Sequence, residues 1–150
     1  MPKSEWKIRT AKKSDFPAVI GLFMKAFSES PYNENWKKES AEKRLGGLYA
    51  LNKEFCLVAE DKGAIVGLLF SRTQVWNDGL HLFIEDLAVG AAFRGRGVGT
   101  GLVLEIEAIA KSKGIVAIDL AMHRRAAAGK FWKKMGYDFD EYINLRKFLR

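Results

Sequence analysis

The sequence predicts an α/β domain of the α+β kind, a mixed and mostly antiparallel sheet with one parallel βαβ unit at its centre. Three observations carry this. Apolar residues in the first third recur at helical spacing. The middle third reads as a strand hairpin followed by another long strand. That last strand, Leu80–Val89, runs into a glycine-rich turn, an amphipathic helix and a further short apolar strand, the order of a βαβ unit. Counted along the chain, the expectation is about six to seven strands and about four helices, in a single domain spanning residues 1–150.

Each element has its own signal. Lys7-Ile-Arg-Thr10 reads as a short first strand. Ser14-Asp15 starts a helix, with Pro17 in the first turn, where proline is tolerated. Phe16, Val19, Ile20, Phe23, Met24 and Phe27 fall on one face of it, and it should end near Ser28–Pro31. Lys38–Leu51 makes a second helix with Ala41, Leu45, Leu48 and Leu51 on one face. Glu54–Glu60 and Ala64–Val75 form a hairpin around Asp61-Lys-Gly63, and Trp76-Asn-Asp-Gly79 turns the chain into Leu80–Val89. Val98–Lys113 is the next helix, with Val98, Leu102, Ile106 and Ile109 toward the sheet and Gly114 as its cap. Ile115–Leu120 is a strand parallel to Leu80–Val89, Arg125–Met135 a last helix, and Tyr137–Asp140 with Tyr142–Phe148 a closing pair of strands.

Composition excludes several classes. Hydrophobic residues make up 48%, which argues for a packed globule rather than disorder. No apolar run approaches a membrane span, and Met1–Trp6 lacks the apolar core of a signal peptide. The single cysteine rules out an internal disulfide framework and fits a reducing, cytoplasmic setting; in Phe55-Cys-Leu-Val-Ala59 it reads as a packed thiol. Two histidines and one cysteine are too few for a dedicated metal site, so no metal is expected. The formal charge of +7 admits nucleic acid as a partner, but the basic residues are scattered, which makes that the minor alternative.

The organising stretch is Glu85–Thr100. Gly95, Gly97, Gly99 and Gly101 alternate with other residues ahead of a helix whose first N–H groups are unpaired, and Arg94 and Arg96 add positive charge. This is a cradle for a phosphate. A P-loop is excluded because Gly129-Lys130 is followed by Phe131 rather than Ser or Thr. A dinucleotide fingerprint misses by one glycine, although Asp119 stands about 20 residues on, where that fingerprint wants an acid. The pattern Arg-x-x-Gly-x-Gly is met in full by Arg94-Gly-Arg-Gly97-Val-Gly99.

That pattern resembles the coenzyme A motif of the GNAT superfamily of N-acetyltransferases. Phe83-Ile-Glu-Asp-Leu-Ala-Val89 resembles the strand before it, and Phe131-Trp-Lys-Lys-Met-Gly-Tyr137 the late aromatic signature after it. The resemblance implies an acetyl-CoA-dependent acyltransferase that acetylates a primary amine. It implies that the pantetheine arm pairs with the backbone of Leu87, Ala88 and Val89. The pyrophosphate would meet Arg94, Gly95, Arg96, Gly97, Val98, Gly99 and Thr100. Glu85 is the implied general base, working through water, while strand parity leaves open whether Glu85 or Asp86 faces the cleft. A backbone N–H near Ala88 or Val89 would hold the oxyanion. In the loop between the first helices, Glu29, Tyr32, Glu34 and Trp36 would receive a small cationic acceptor, or else Tyr32 and Trp36 seal the core.

Two departures from the family stand out. Trp132 occupies the place of a tyrosine that often protonates the leaving thiolate, so it packs on the pantetheine or in the core, and water, Tyr137 or Tyr142 would give the proton. Arg125 stands where asparagine is common, and either contacts a cofactor phosphate or points to solvent. His81 and His123 read as structural or as proton carriers. A non-enzymatic acyl-CoA-binding module, a nucleotide- or nucleic-acid-binding protein, and a homodimer exchanging its last strands complete the expectations.

Overall fold

The computed structural model describes residues 6–149. Most of the N-terminal stretch read for a targeting signal, residues 1–5, lies outside the described residues. The chain runs β1 (Lys7–Thr10), α1 (Phe16–Ser28), α2 (Lys38–Leu51), β2 (Cys56–Asp61), β3 (Ala64–Trp76), β4 (Gly79–Val89), α3 (Val98–Ser112), β5 (Ala117–Leu120) and α4 (Ala128–Lys134). The strands form one five-stranded sheet in the order β1-β2-β3-β4-β5. The first three pairings are antiparallel, and β4 pairs with β5 in parallel, His81 opposite Ala117 and Ile84 opposite Leu120. The α3 crossover therefore makes the expected βαβ unit, but at the edge of the sheet rather than at its centre. Among the described residues no helix is long and apolar enough to cross a membrane.

The sheet separates two cores. On one face α3 buries Val98, Leu102, Val103, Ile106 and Ala110 against Leu57, Leu69, Leu82 and Ile84, and Trp132 of α4 joins them. On the other, Val19, Ile20 and Phe23 of α1 and Ala41 and Leu45 of α2 pack on Val58, Leu68, Phe70 and Ala88. Alternating side chains of β4 feed both cores, which is why its sequence reads as apolar apart from His81, Glu85 and Asp86. Cys56 is fully buried, and desolvation pushes its thiol up to about 12, so it is inert at neutral pH.

Two further expectations need correction. The sheet has five strands rather than six to seven. Residues 138–149 carry the alternation of strands, but among the described residues they pair with none. A strand forms only where a neighbouring strand satisfies its backbone, and alternation alone does not supply that neighbour. The last helix begins at Ala128 rather than Arg125, because His123 first closes a turn. Its carbonyl accepts from Ala126 N–H at 3.0 Å and its ring Nδ1 accepts from Arg125 N–H at 3.1 Å.

His81 is a clasp at the base of the sheet. Its ring is buried, Nδ1 lies 2.7 Å from Asp119 Oδ2 and Nε2 lies 2.8 Å from Asp78 Oδ1, and the ring stacks on Trp76 with centroids 5.2 Å apart. The Asp119 bond, opposed by burial and aided by Asp78, raises the imidazolium above its ordinary value. A raised histidine stabilises the fold fully below the unfolded value of about 6.5, and loses that contribution as pH rises through the folded one. The melting temperature of His81→Gln should thus fall furthest below the parent's in mild acid and converge with it in alkali. A gap independent of pH would show that the clasp is not ionic.

Candidate active site

The site begins where β4 outruns β5. The parallel pairing stops at Ile84, so among the described residues the β5-facing edge of residues 85–89 has no strand partner. The chain then turns through Gly90, whose N–H donates to Val66 O, and a short 3-10 turn at Ala91–Phe93. Gly95 and Gly97 take φ of 73° and 85°, a left-handed backbone that costs other residues about 1–2 kcal/mol. The first bond of α3 at its start is Gly101 N–H to Gly97 O at 2.9 Å. The N–H groups of Val98, Gly99 and Thr100 therefore have no carbonyl of the helix to bond. With the helix dipole behind them they make a locally positive helix end next to the open strand edge.

The other glycines serve packing. A Cβ at Gly101 would lie 2.8 Å from Ile8 Cδ1 and 2.9 Å from Trp6 Cη2, so this glycine lets α3 close on the N-terminal strand. Gly99 lies against the Phe131 ring, with an added Cβ at 3.7 Å. Gly101→Ala should lower stability by roughly 1 kcal/mol through overpacking, leaving the affinity for a phosphate ligand unchanged. Weakened ligand binding with unchanged melting would return Gly101 to the cradle.

A bulge decides where the two carboxylates point. Phe70 faces Asp86 and Ser71 faces Ile84, so Glu85 is the extra residue on β4. Regular alternation would send Glu85 and Asp86 to opposite faces; the bulge brings both to Arg44 of α2. Arg44 Nε donates to Asp86 Oδ2 at 2.9 Å, and its Nη2 reaches Asp86 Oδ1 and Glu85 Oε2, each at 3.2 Å. Arg72 Nε donates to Glu85 Oε1 at 2.6 Å. Asp86 is only 5% exposed, and burial raises its carboxyl while Arg44 pulls it back down. Arg44 also lies over the Trp36 ring at 5.7 Å, and Trp36 Nε1 donates to Glu34 Oε1 at 2.7 Å. Three carboxylates and an indole thus surround one guanidinium. Beside it runs a cleft of about 440 Å³, lined by Arg44, Leu48, Asn52, Arg72, Thr73 and Glu85 among others.

The loop between α1 and α2 closes over the end of β4. Tyr32 packs edge-on to Phe27 and to His123 of the β5–α4 loop, at 5.0 and 5.6 Å. Burial, with help from Glu34, holds its phenol above the usual range, and Arg94 opposes this. Glu29 accepts from Arg94 Nη1 at 3.0 Å, and Arg94 Nε donates to Val89 O at 3.1 Å. Two residues assigned from the sequence to different ligands are thus ion-paired across the mouth. Arg96 lies over Phe93 at 4.9 Å.

Other residues lie away from the open edge or in the core. Trp132 is buried between Phe131 and Tyr137, with ring centroids at 5.0 Å from each. The Tyr137 hydroxyl donates to Glu107 Oε2 at 2.8 Å and is pushed well up by burial, and the Tyr142 ring meets Trp76 edge-on. Arg125 is exposed.

Residues 17–137 match the family model described as Acetyltransferase (GNAT) family. The chain belongs to the GNAT acetyltransferase family. It is accordingly an acyltransferase. It is 27% identical over 154 residues to thialysine N-epsilon-acetyltransferase of Mus musculus, covering 95% of this chain and 82% of that protein. An acetyltransferase of Pectobacterium atrosepticum is 28% identical over 142 residues, covering 94% of each. An aminoglycoside N-acetyltransferase solved in complex with CoA superposes with a TM-score of 0.79 at 15% identity, covering 98% of this chain and 97% of that one, and so shares the fold.

Within this GNAT domain, Arg44 and Arg72 are the site residues that sequence reasoning missed. For Arg44 the signal was present. It follows Ala41 by three positions and precedes Leu45, so its stem lies beside the buried stripe of α2. A cation there faces the acidic pair on β4, which is the partner those carboxylates need.

Proposed function

We propose that the protein transfers the acetyl group of acetyl-CoA to the primary amine of a small cationic acceptor. One observation carries the reading: an unpaired strand edge at residues 85–89 leads directly into unpaired N–H groups at residues 98–100, with a carboxylate bulged from the same strand. An amide-rich arm ending in a pyrophosphate fits that succession of groups. Leu87, Ala88 and Val89 offer backbone pairing that is independent of side chains. Arg94, Gly95, Arg96, Gly97, Val98, Gly99 and Thr100 surround the phosphates, and Arg125 adds charge from the β5–α4 loop. For the Val89 carbonyl to pair with the arm, Arg94 must leave it for a phosphate. Trp132 supports this wall from the core.

Glu85 takes the proton of the acceptor ammonium through water, since a neutral amine must attack the thioester carbonyl. The C–N bond forms first, a backbone N–H near Ala88 or Val89 stabilises the resulting tetrahedral oxyanion, and its collapse breaks the C–S bond and releases CoA thiolate. A thiol ionises near ~8.5, so the thiolate leaves without a strong acid beside it. Glu29, Tyr32, Glu34 and Trp36 receive the acceptor, whose cation is favoured by carboxylates and an indole face.

Thermal melting with acetyl-CoA, CoA, NAD and ATP tests the cofactor. A ligand at ~100 times its dissociation constant adds about 2.7 kcal/mol. The expected result is a shift with acetyl-CoA and CoA alone, followed by thiol release with one class of amine. A shift with NAD or an oligonucleotide and none with CoA would overturn the assignment. A CoA shift without thiol release from any amine would leave a binding module.

A further inference from the structure

Two glycines stand side by side in the middle of α2, and close packing explains neither. A Cβ added at Gly46 or at Gly47 would meet no atom within 4 Å. Glycine inside a helix is destabilising relative to alanine. Gly47 lines the cleft beside Glu85, so at this position the missing side chain keeps that cleft open. The cleft lies between α2 and the β3–β4 pair. Leu48 and Leu51 give it an apolar wall, and its charged residues are Arg44, Arg72 and Glu85. Its volume of about 440 Å³ is that of a small-molecule site.

The charges along this cleft are unequal. Two guanidiniums share Glu85. Arg44 also has Asp86, to which its Nε and Nη2 both donate. Arg72 has Glu85 alone, through Nε. Among the described residues its two terminal nitrogens reach no carboxylate. They meet the neutral amide of Gln74, whose oxygen, turned toward them, lies 3.0 Å from Nη1 and 3.3 Å from Nη2. The guanidinium lies over the Phe83 ring at 4.9 Å, which holds it against the sheet. Acetyl transfer widens the imbalance. Once Glu85 has taken the proton of the amine it is neutral, and among the described residues Arg72 then faces no ionised carboxylate. A guanidinium fork is matched best by a carboxylate, which accepts from two of its N–H groups at once.

We propose that the acceptor carries a carboxylate as well as its amine, and that it lies in this cleft with the amine at Glu85, its carbon skeleton along Gly47 and Leu48, and its carboxylate on Arg72. The inference rests on the reading of Glu85 as the residue that receives the proton of the amine. It narrows the acceptor to an aminocarboxylate and makes Arg72 the residue that selects it. A plain alkylamine fills the same space and leaves the fork unmet, and a site built for a charged group rejects the analogue that lacks it.

Calorimetric binding to the CoA-saturated protein tests this without requiring turnover. Leucine is compared with isopentylamine, and lysine with cadaverine, each pair differing by one carboxylate. In at least one pair the acid should bind about 10-fold or more tightly than the amine, the worth of a hydrogen-bonded charge pair. In Arg72→Gln that ratio should fall to near unity, whereas a purely structural Arg72 would weaken both members alike and keep the ratio. Gly47→Leu should bind neither member while melting at or above the parent, since leucine favours a helix more than glycine does. No carboxylate preference in either pair, a preference that persists in Arg72→Gln, or a Gly47→Leu variant that binds as the parent does would each overturn the proposal. Thiol release from acetyl-CoA is read in parallel. A carboxylate preference without release from any amine would refute the transfer reaction and leave the selectivity of the cleft standing, and release without the preference would do the reverse.

Discussion

Glu85→Gln is expected to lower kcat by about 10²- to 10⁴-fold, the range for loss of a positioned general base, while leaving the melting shift with acetyl-CoA in place. The geometry sets this expectation apart from a plain loss of charge. Glu85 is the bulged residue of β4, next to the edge from which residues 87–89 present their backbone, and it borders the cleft beside Arg44. Gln keeps the shape and its one carbonyl oxygen can still accept from Arg44 or Arg72, and because these pairs are partly exposed the fold should survive with little loss. What Gln cannot do is take a proton. The acidic limb of the kcat/KM profile should disappear in the variant, whereas a residue that only binds the acceptor would raise KM and leave that limb intact. Activity within about 3-fold of the parent at every pH would remove Glu85 from the chemistry, since a positioned base contributes far more than that.

Elements whose signal is local were legible in the sequence. Both limits of α2, the extent of β1, the end of β4 at Val89 and the start of α3 at Val98 follow from periodicity and glycine placement, and the structure has them there. The glycine-rich turn leading into α3 was legible for the same reason, as one contiguous stretch. The bulge at Glu85 was not. It is a relation between β3 and β4, and no residue of Ile84-Glu-Asp-Leu87 announces it. Without it, parity puts Glu85 and Asp86 on opposite faces, and the cluster around Arg44 cannot be drawn. The closing strands fail differently. Alternation at Phe139, Ile143, Leu145 and Leu149 is real, but it specifies a strand's faces and not the neighbour that would satisfy its backbone. The Glu29–Arg94 pair was also hidden, because each residue had its own local reading and only the tertiary fold brings positions 29 and 94 together.

Arg44→Met should be the most destabilising single change in the site, by about 2–3 kcal/mol at neutral pH. Removing one partner of a buried ion pair leaves the other charge uncompensated, which costs about 3–5 kcal/mol in a dry interior. Arg44 is 34% exposed, so water softens the loss. The charge left behind is Asp86, 5% exposed, whose carboxyl burial already raises and which only Arg44 pulls down strongly. In the variant that carboxyl rises further. A carboxyl raised in the folded state binds its proton more readily there than in the unfolded chain. Stability is therefore gained as pH falls through the folded value, and the deficit of Arg44→Met should shrink from neutral pH toward pH ~4, where unfolded aspartate still ionises. Adding Asp86→Asn to Arg44→Met should recover most of the loss at neutral pH, because the buried charge is then gone. Denaturant melts of the parent, the single variant and the double variant at two pH values distinguish this from lost packing of the Arg44 stem on Trp36, which would leave a deficit independent of pH and untouched by Asp86→Asn.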